Sequence, residues 1–299
     1  MKEAPKMATP STETGIVVGV DASASSAAAV AWAARDAELR DRPLQLVHVV
    51  PPITMPDVPV DYARYAEDRA HEITQDALKV ARENVAPDRA SQLTTSVLSG
   101  PIVSTLVEMS DTADMIVTGC VGESAVERVL LGSVSTGLVH RAHCPVAVIH
   151  NEASPSPQAP VVVGMDMSPT SELAATIAFD EASRRGVELV VLHAWSDMGP
   201  LNFASVNWAP IEWRNLKDRE EKAFDHYLTK WRDSYPGVTI RPIVVADRPA
   251  NRLLEQAEKA QLIVVGSHGR GAADGALLGS VSTAIVHTAQ IPVIVARQG

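Results

Sequence analysis

The chain has only two cysteines, Cys120 and Cys144, both in its first half. Two are too few for a disulfide framework and suit a reducing compartment, so both are read as small buried residues. Long apolar runs are missing too: nothing approaches the roughly 18 consecutive apolar residues that a membrane-spanning helix requires. The opening MKEAPKMATPSTETG carries lysines with no apolar stretch behind them, which leaves out the core of a signal peptide. These absences predict a cytoplasmic protein with no membrane partner. Basic residues are in the minority, 26 Lys plus Arg against 36 Asp plus Glu, and the net charge of -10 opposes any general attraction to polyphosphate backbones. Nucleic acid is not an expected partner.

What is present is one unit written twice. The 299 residues, 46% of them hydrophobic, suffice for about two domains with ordinary cores. Laying IVVGVDASASSAAAVAWAARDAELRDRPLQLVHVV (16–50) over VVVGMDMSPTSELAATIAFDEASRRGVELVVLHAW (161–195) needs no gap. It pairs Gly19 with Gly164, Asp21 with Asp166, Ser23 with Ser168 and His48 with His193. The ends repeat as well: MIVTGCVGESAVERVLLGSVSTGLVHRAHCPVAVIH and LIVVGSHGRGAADGALLGSVSTAIVHTAQIPVIVAR agree at roughly half their positions. Between the copies HNEASPSPQAP (150–160) has no apolar period and reads as a linker. The expected organisation is a tail over 1–14, a first domain over 15–150, a linker over 151–159 and a second domain over 160–299.

Each copy alternates short β-branched runs with helical patterns. In the first these are IVVGV, a helix from about Ser25 to Arg40, LQLVHVV, a helix from about Tyr62 to Asn84, QLTTSVL, a helix from about Ile102 to Ser110, MIVTG, a helix from about Ser133 to Arg141, and VAVIH. Continuous apolar strands separated by helices imply a parallel sheet buried on both faces with right-handed crossovers. The fold class is therefore α/β: two tandem Rossmann-like domains, each a five-stranded parallel sheet flanked by helices. The first helix is Ala-rich, which lets it lie close to the sheet, and its polar residues gather at its far end.

In such sheets ligands bind beyond the carboxyl ends of the strands, and three features of each copy converge there. Asp21 and Asp166 close the first strand of their copies. There a carboxylate either accepts hydrogen bonds from a ribose or nears a metal on phosphates, or else it belongs to the cap of the following helix. The second feature is a glycine frame, Gly-x-x-Gly, nine residues, then Gly-Ser: Gly119, Gly122, Gly132, Ser133 and again Gly266, Gly269, Gly279, Ser280. Glycine admits a ligand against bare backbone. The closing Gly-Ser opens a helix whose unpaired N–H groups and positive dipole end suit a phosphate. The third feature is the end of the second strand, His48-Val49-Val50 and His193-Ala194-Trp195, whose main chain can read a purine edge. The two histidines are read as satisfied sheet-end residues. His268 is the better candidate for ligand contact, but Val121 stands in its place in the first copy.

The glycine frame, the VGVDAS and VGMDMS acids, the LVHVV and VVLHAW strands, and the HCPVAVI and IPVIVAR endings together make the sequence resemble the universal stress protein family in its tandem two-domain form. The resemblance covers all but the tail and linker. It implies the family's adenine-nucleotide-binding five-stranded fold, with ATP, accompanied by Mg²⁺, at each of two sites. Asp21 and Asp166 would sit by the adenosine, and Val49 and Ala194 would offer main-chain groups to the adenine. Gly119, Gly122, Gly132 and Ser133 would cradle ribose and phosphates in one copy, as would Gly266, Gly269, Gly279, Ser280 and the adjoining Val281 in the other. Arg270 follows the frame's second glycine in the second copy, whereas the first has Glu123 and Glu127 offset only by Arg128. Carboxylates near a triphosphate repel it, so the first site is expected to bind ATP more weakly or to lean harder on Mg²⁺. The family also pairs domains through the last strand, which implies an intramolecular pseudo-dimer, with a homodimer of chains left open.

No Gly-Lys-Ser/Thr phosphate loop, transition-state arginine or acid–base pair is legible. Neither first turn holds the dinucleotide Gly-x-Gly-x-x-Gly, and VGVDAS lacks the serine–aspartate signature of related ATP pyrophosphatases. No catalytic or metal-ligating residue is assigned. The expected function is nucleotide-dependent regulation of a stress or dormancy response through an unidentified partner protein. The alternatives are a slow ATP hydrolase and a scaffold without a ligand. The inserts PPITMPDVPVDY and SDMGPLNFASVNWAPIEW differ most between copies, and Trp208 and Trp213 are expected to pack in the core, the alternative being that they close over a site or a partner surface.

Overall fold

The β-branched runs form strands and the longer periodic segments form helices. In the first repeat these are β1 (Thr14–Gly19), α1 (Ala24–Arg40), β2 (Leu44–Val50), α2 (Val60–Arg82), β3 (Leu93–Ser99), α3 (Ile102–Met109), β4 (Ala113–Gly119), α4 (Ser133–Arg141) and β5 (Val146–Ile149). The second repeat follows the same order with β6 (Val161–Gly164), α5 (Pro169–Arg185), β7 (Leu189–Ala194), α6 (Ile211–Ser234), β8 (Ile240–Val245), α7 (Pro249–Ala257), β9 (Leu262–Gly266), α8 (Ser280–Thr288) and β10 (Val293–Ala296). The structure, a computed structural model, describes residues 14–52, 60–122, 131–150, 156–195, 211–269 and 278–297. Trp208, and with it Glu123, Glu127, Arg128 and Arg270, lies outside the described residues, as does the side chain of Trp213.

Strand order is β3-β2-β1-β4-β5-β10-β9-β6-β7-β8. Within each repeat the five strands are parallel, but the two sets are not separate sheets. β5 and β10 pair antiparallel, Val148 opposite Val293, Ala147 opposite Ile294 and Val146 opposite Val295. Both strands are fully buried four-residue runs, VAVI and VIVA. Alone, each would leave a row of unpaired main-chain groups at an apolar edge. Pairing removes both edges at once and makes one continuous ten-stranded sheet.

Two hydrophobic layers cover the sheet, and each runs across both repeats. One packs α1, α2, α5 and α6 against residues such as Val18, Leu46, Val163 and Val191. The other packs α3, α4, α7 and α8 against Val17, Val148, Val162 and Val295. Alanines 29, 33, 34 and 37 on α1 and 174, 175, 178 and 182 on α5 are buried, so both helices lie close to the strands. Phe179 fills the space that this close approach leaves, stacked on Trp231 with ring centroids 5.0 Å apart. Full burial of a side chain that large stabilises by roughly 1.5–3 kcal/mol.

The polar far end of α1 has a partner that the sequence did not reveal, the equivalent end of α5. Arg40 Nε donates to Asp36 Oδ2 at 2.6 Å and its Nη2 to Glu181 Oε1 at 2.6 Å. Arg185 Nη2 reaches Asp36 Oδ1 at 2.8 Å and Glu181 Oε2 at 2.8 Å. Asp36 and Arg40 of one repeat thus interlock with Glu181 and Arg185, their counterparts in the other. The same chain reversal follows both helices, with Asp41 (φ 55) after α1 and Gly186 (φ 64) after α5. Aspartate is among the few non-glycine residues that accept this left-handed conformation. A short 3₁₀ turn at Pro87–Gln92 between α2 and β3 was also not anticipated.

Candidate functional site

Strand order reverses between β1 and β4, and the candidate residues gather at the carboxyl ends of these two strands. Their counterparts gather beyond β6 and β9. The chain leaves β1 through Asp21 and turns at once into α1. Ser23 is the cap of that helix: its Oγ accepts from Ser26 N at 3.1 Å. Asp21 supports the cap from behind, with Oδ1 accepting from Ser23 N at 2.9 Å and from Ser23 Oγ at 2.5 Å. In the second repeat Ser168 caps α5 by accepting from Ser171 N, and Asp166 Oδ1 accepts from Ser168 N at 3.0 Å. The aspartates thus belong to the cap without occupying the N-cap position: the serine two residues on caps the helix, and the aspartate orients that serine. One carboxylate oxygen is used in this way.

The other oxygen faces the glycine loop. A Cβ placed on Gly122 would lie 3.0 Å from Asp21 Oδ2, and one on Gly269 would lie 2.7 Å from Asp166 Oδ2. The first turn of α1 is also tied directly to the loop after β4, because Ser25 Oγ donates to Val121 O, and the first turn of α5 to the loop after β9, because Thr170 Oγ1 donates to His268 O at 2.6 Å. Neither hydroxyl was singled out in the sequence. Gly119, the last residue of β4, lies close against the first turn of α1, since a Cβ there would meet the main-chain carbon of Ser25 at 2.7 Å. At Gly266 the same atom of Thr170 would be 3.1 Å away.

The far end of each loop is anchored in the same manner. Gly132 N donates to Cys120 O at 2.6 Å and Gly279 N to Ser267 O at 2.8 Å. Those carbonyls also accept from Ser135 Oγ at 3.0 Å and Ser282 Oγ at 3.1 Å. Ser135 and Ser282 were not singled out in the sequence, although the Ser-Val-Ser-Thr run common to both copies is a signal that could have found them. Gly132 and Gly279 stand at the N-cap positions of α4 and α8, and neither cap has a side-chain hydrogen bond. Ser133, Ser280 and Val281 therefore lie in first turns whose N–H groups are not covered by a capping side chain.

Val49 and Ala194 lie where the second strand outruns the first. Register between β1 and β2 ends at Gly19–Val47 and between β6 and β7 at Gly164–Leu192. β2 and β7 continue in register with β3 and β8 to Val50 and Ala194. The preceding histidines look inward: His48 Nδ1 is 2.7 Å from Val20 O, and His193 Nδ1 is 2.7 Å from Met165 O. A carbonyl only accepts, so each Nδ1 carries the proton. His193 also stacks on Phe224 at 4.9 Å. Cys120 and Cys144 are buried, and burial pushes the Cys144 thiol up to about 12, far from a reactive thiolate. No described helix is long and apolar enough to cross a membrane.

A doubly wound α/β sheet with glycines at its strand ends, facing a carboxylate and a helix start that has no side-chain cap, defines a Rossmann-like protein with the same arrangement in both repeats. Comparison with known proteins gives the family. The model of the universal stress protein family matches twice, over residues 14–150 and 159–297, and the chain belongs to that family. It is 55% identical to Universal stress protein Rv1996 of Mycobacterium tuberculosis over 97% of each chain. It is 45% identical to Universal stress protein Rv2623 of the same organism over 95% of this chain and 96% of that one. The fold is that of a universal stress protein from Archaeoglobus fulgidus, with a TM-score of 0.68 at 20% identity over 96% of this chain and 99% of that one.

Proposed function

We propose that the protein binds ATP at two sites, one in each of the domains 15–150 and 160–299, and that nucleotide occupancy serves as the signal by which it regulates a stress response through a partner protein. The observation that supports this most is the repetition of one arrangement in both halves. A glycine floor that a Cβ would fill faces a carboxylate already held by the helix cap, beside a helix N-terminus with no side-chain cap.

These residues fit an adenine nucleotide. Asp21 and Asp166 have the chemistry to accept from ribose hydroxyls. The main chain at Val49 and Ala194 suits the adenine edge. Gly119, Gly122, Gly132 and Ser133, with Gly266, Gly269, Gly279, Ser280 and Val281, offer backbone N–H groups to the phosphates. Mg²⁺ accompanies the triphosphate and offsets its charge. No described residue is assigned to catalysis, and the reading is one of binding.

The test is to purify the protein without added nucleotide, denature it, and quantify what is released by chromatography and mass spectrometry. Release of ATP at two equivalents per chain supports both sites. A protein that releases nothing and takes up no Mg-ATP is a scaffold, and the proposal fails.

A further inference from the structure

We propose that His140, in the first repeat, is a positioning residue for the second repeat's glycine loop, which it holds through a hydrogen bond that only its neutral ring can make. His140 Nδ1 lies 3.2 Å from the main-chain N of Leu278. An N–H only donates, so Nδ1 accepts, and the ring is neutral with its proton on Nε2. Leu278 immediately precedes Gly279, the residue that anchors the second loop to Ser267 O and starts α8. The bond therefore falls where the loop enters its helix.

The helix that carries His140 cannot drift away from this contact. Arg297, just beyond β10, donates from Nε to Ala142 O at 3.0 Å and from Nη1 to Val139 O at 2.7 Å, clamping the end of α4. The start of α4, at Gly132 and Ser133, belongs to the first site. One nine-residue helix, about 13 Å long at 1.5 Å per residue, thus has its first turn in one site and its last turn on the loop of the other.

The groups that face His140 are Arg297, His287 on α8 and His268 in the loop after β9. Burial first, and then these cationic or protonatable neighbours, hold its pKa below the ordinary imidazole value. Protonation removes the acceptor. The hold on the loop is complete above the ordinary histidine pKa and is lost as pH falls below it.

This inference rests on the nucleotide reading for its consequence, though not for its test. Amide exchange at Leu278 is measured on the full chain without nucleotide, for the native protein, His140→Asn and His140→Phe, between pH 7.5 and 5. Asparagine presents an oxygen near the position of Nδ1 but does not titrate; phenylalanine keeps the ring and removes the acceptor. The expected result is protection at Leu278 that falls with pH in the native protein, stays in His140→Asn, and is about fivefold to tenfold lower at every pH in His140→Phe, as for loss of one hydrogen bond. Equal protection in His140→Phe and the native protein overturns the proposal, as does an acid-dependent loss retained in His140→Asn. Photolabelling with an azido-ATP, mapped by peptide, then reads the two sites separately, and His140→Phe is expected to weaken labelling of the second repeat by a similar factor with the first unchanged. Labelling of neither repeat in any of the three proteins counts against the nucleotide reading, while the exchange result still decides the role of His140.

Discussion

Arg40 and Glu181 are hydrogen-bonded at 2.6 Å across the boundary between the repeats, with the glutamate side chain 1% exposed. A buried carboxylate of this kind is costly unless its partners stay in place. Arg40→Met leaves Asp36 and Glu181 with Arg185 as their main remaining cation, and should destabilise the protein by about 3 kcal/mol. Adding Glu181→Leu should recover most of that loss by leaving the Asp36–Arg185 pair balanced, a coupling that urea unfolding of the single and double variants will read.

His150, at the end of β5, is buried, and its Nε2 has no hydrogen-bond partner among the described residues. Burial, with His287 adding to it, lowers its pKa to about 4. Between the ordinary histidine value and this one the unfolded chain binds a proton that the folded protein refuses. The folded state's advantage is therefore full above about pH 6.5 and is lost as pH falls to about 4, an effect on the order of 3 kcal/mol. His150→Phe should flatten that part of the stability profile, and a profile of unchanged slope would remove His150 as its cause.

Substitution of the two loop glycines should act on binding more than on folding. Gly122→Ala and Gly269→Ala each bring a methyl against the end of an aspartate side chain, more closely in the second repeat at 2.7 Å than in the first at 3.0 Å. Each should reduce nucleotide release from its own repeat while leaving the urea midpoint nearly unchanged. Gly119→Ala collides with the main chain of Ser25 instead and should lower stability by about 1–3 kcal/mol, the usual range for overpacking.

Ser135 Oγ donates to Cys120 O and lies 3.0 Å from Gly132 O, closing the first loop from below. Ser135→Ala should cost about 1 kcal/mol, since Cys120 O keeps its bond from Gly132 N. Ser282→Ala should match it in the second repeat. Unequal costs would mean that the two anchors, which share their Gly-Ser-Val-Ser-Thr run, differ in strain.

The order of strands and helices along the chain was legible because each element carries its own period, and because the duplication let one copy be checked against the other, whereas the spatial order of the strands came only with the structure. The glycine frame was legible for a related reason: spacing kept across two copies marks which backbone positions must approach something closely. What escaped were relations between residues distant in the chain. Nothing in ARDAELR says that Asp36 and Arg40 will meet Glu181 and Arg185, or that His140 will reach Leu278, since such contacts follow from how the two repeats are turned toward each other. The division of labour at Asp21 escaped as well, because an aspartate three residues before a helix and a serine directly before it are both credible caps until their hydrogen bonds are seen.

The antiparallel junction of β5 and β10 turns what would be an association of two molecules into a unimolecular event. Dilution cannot separate the halves, because the chain between them keeps their effective concentration fixed. The edge by which either half could recruit a further copy through its last strand is already spent, and the sheet edges left among the described residues are β3 and β8. Covalent linkage also releases the two seats from equality. A homodimer must place the same residue on both sides of its axis, whereas here Val121 can face His268, Ser25 can face Thr170 and Cys120 can face Ser267 in corresponding places, each half answering to its own conditions.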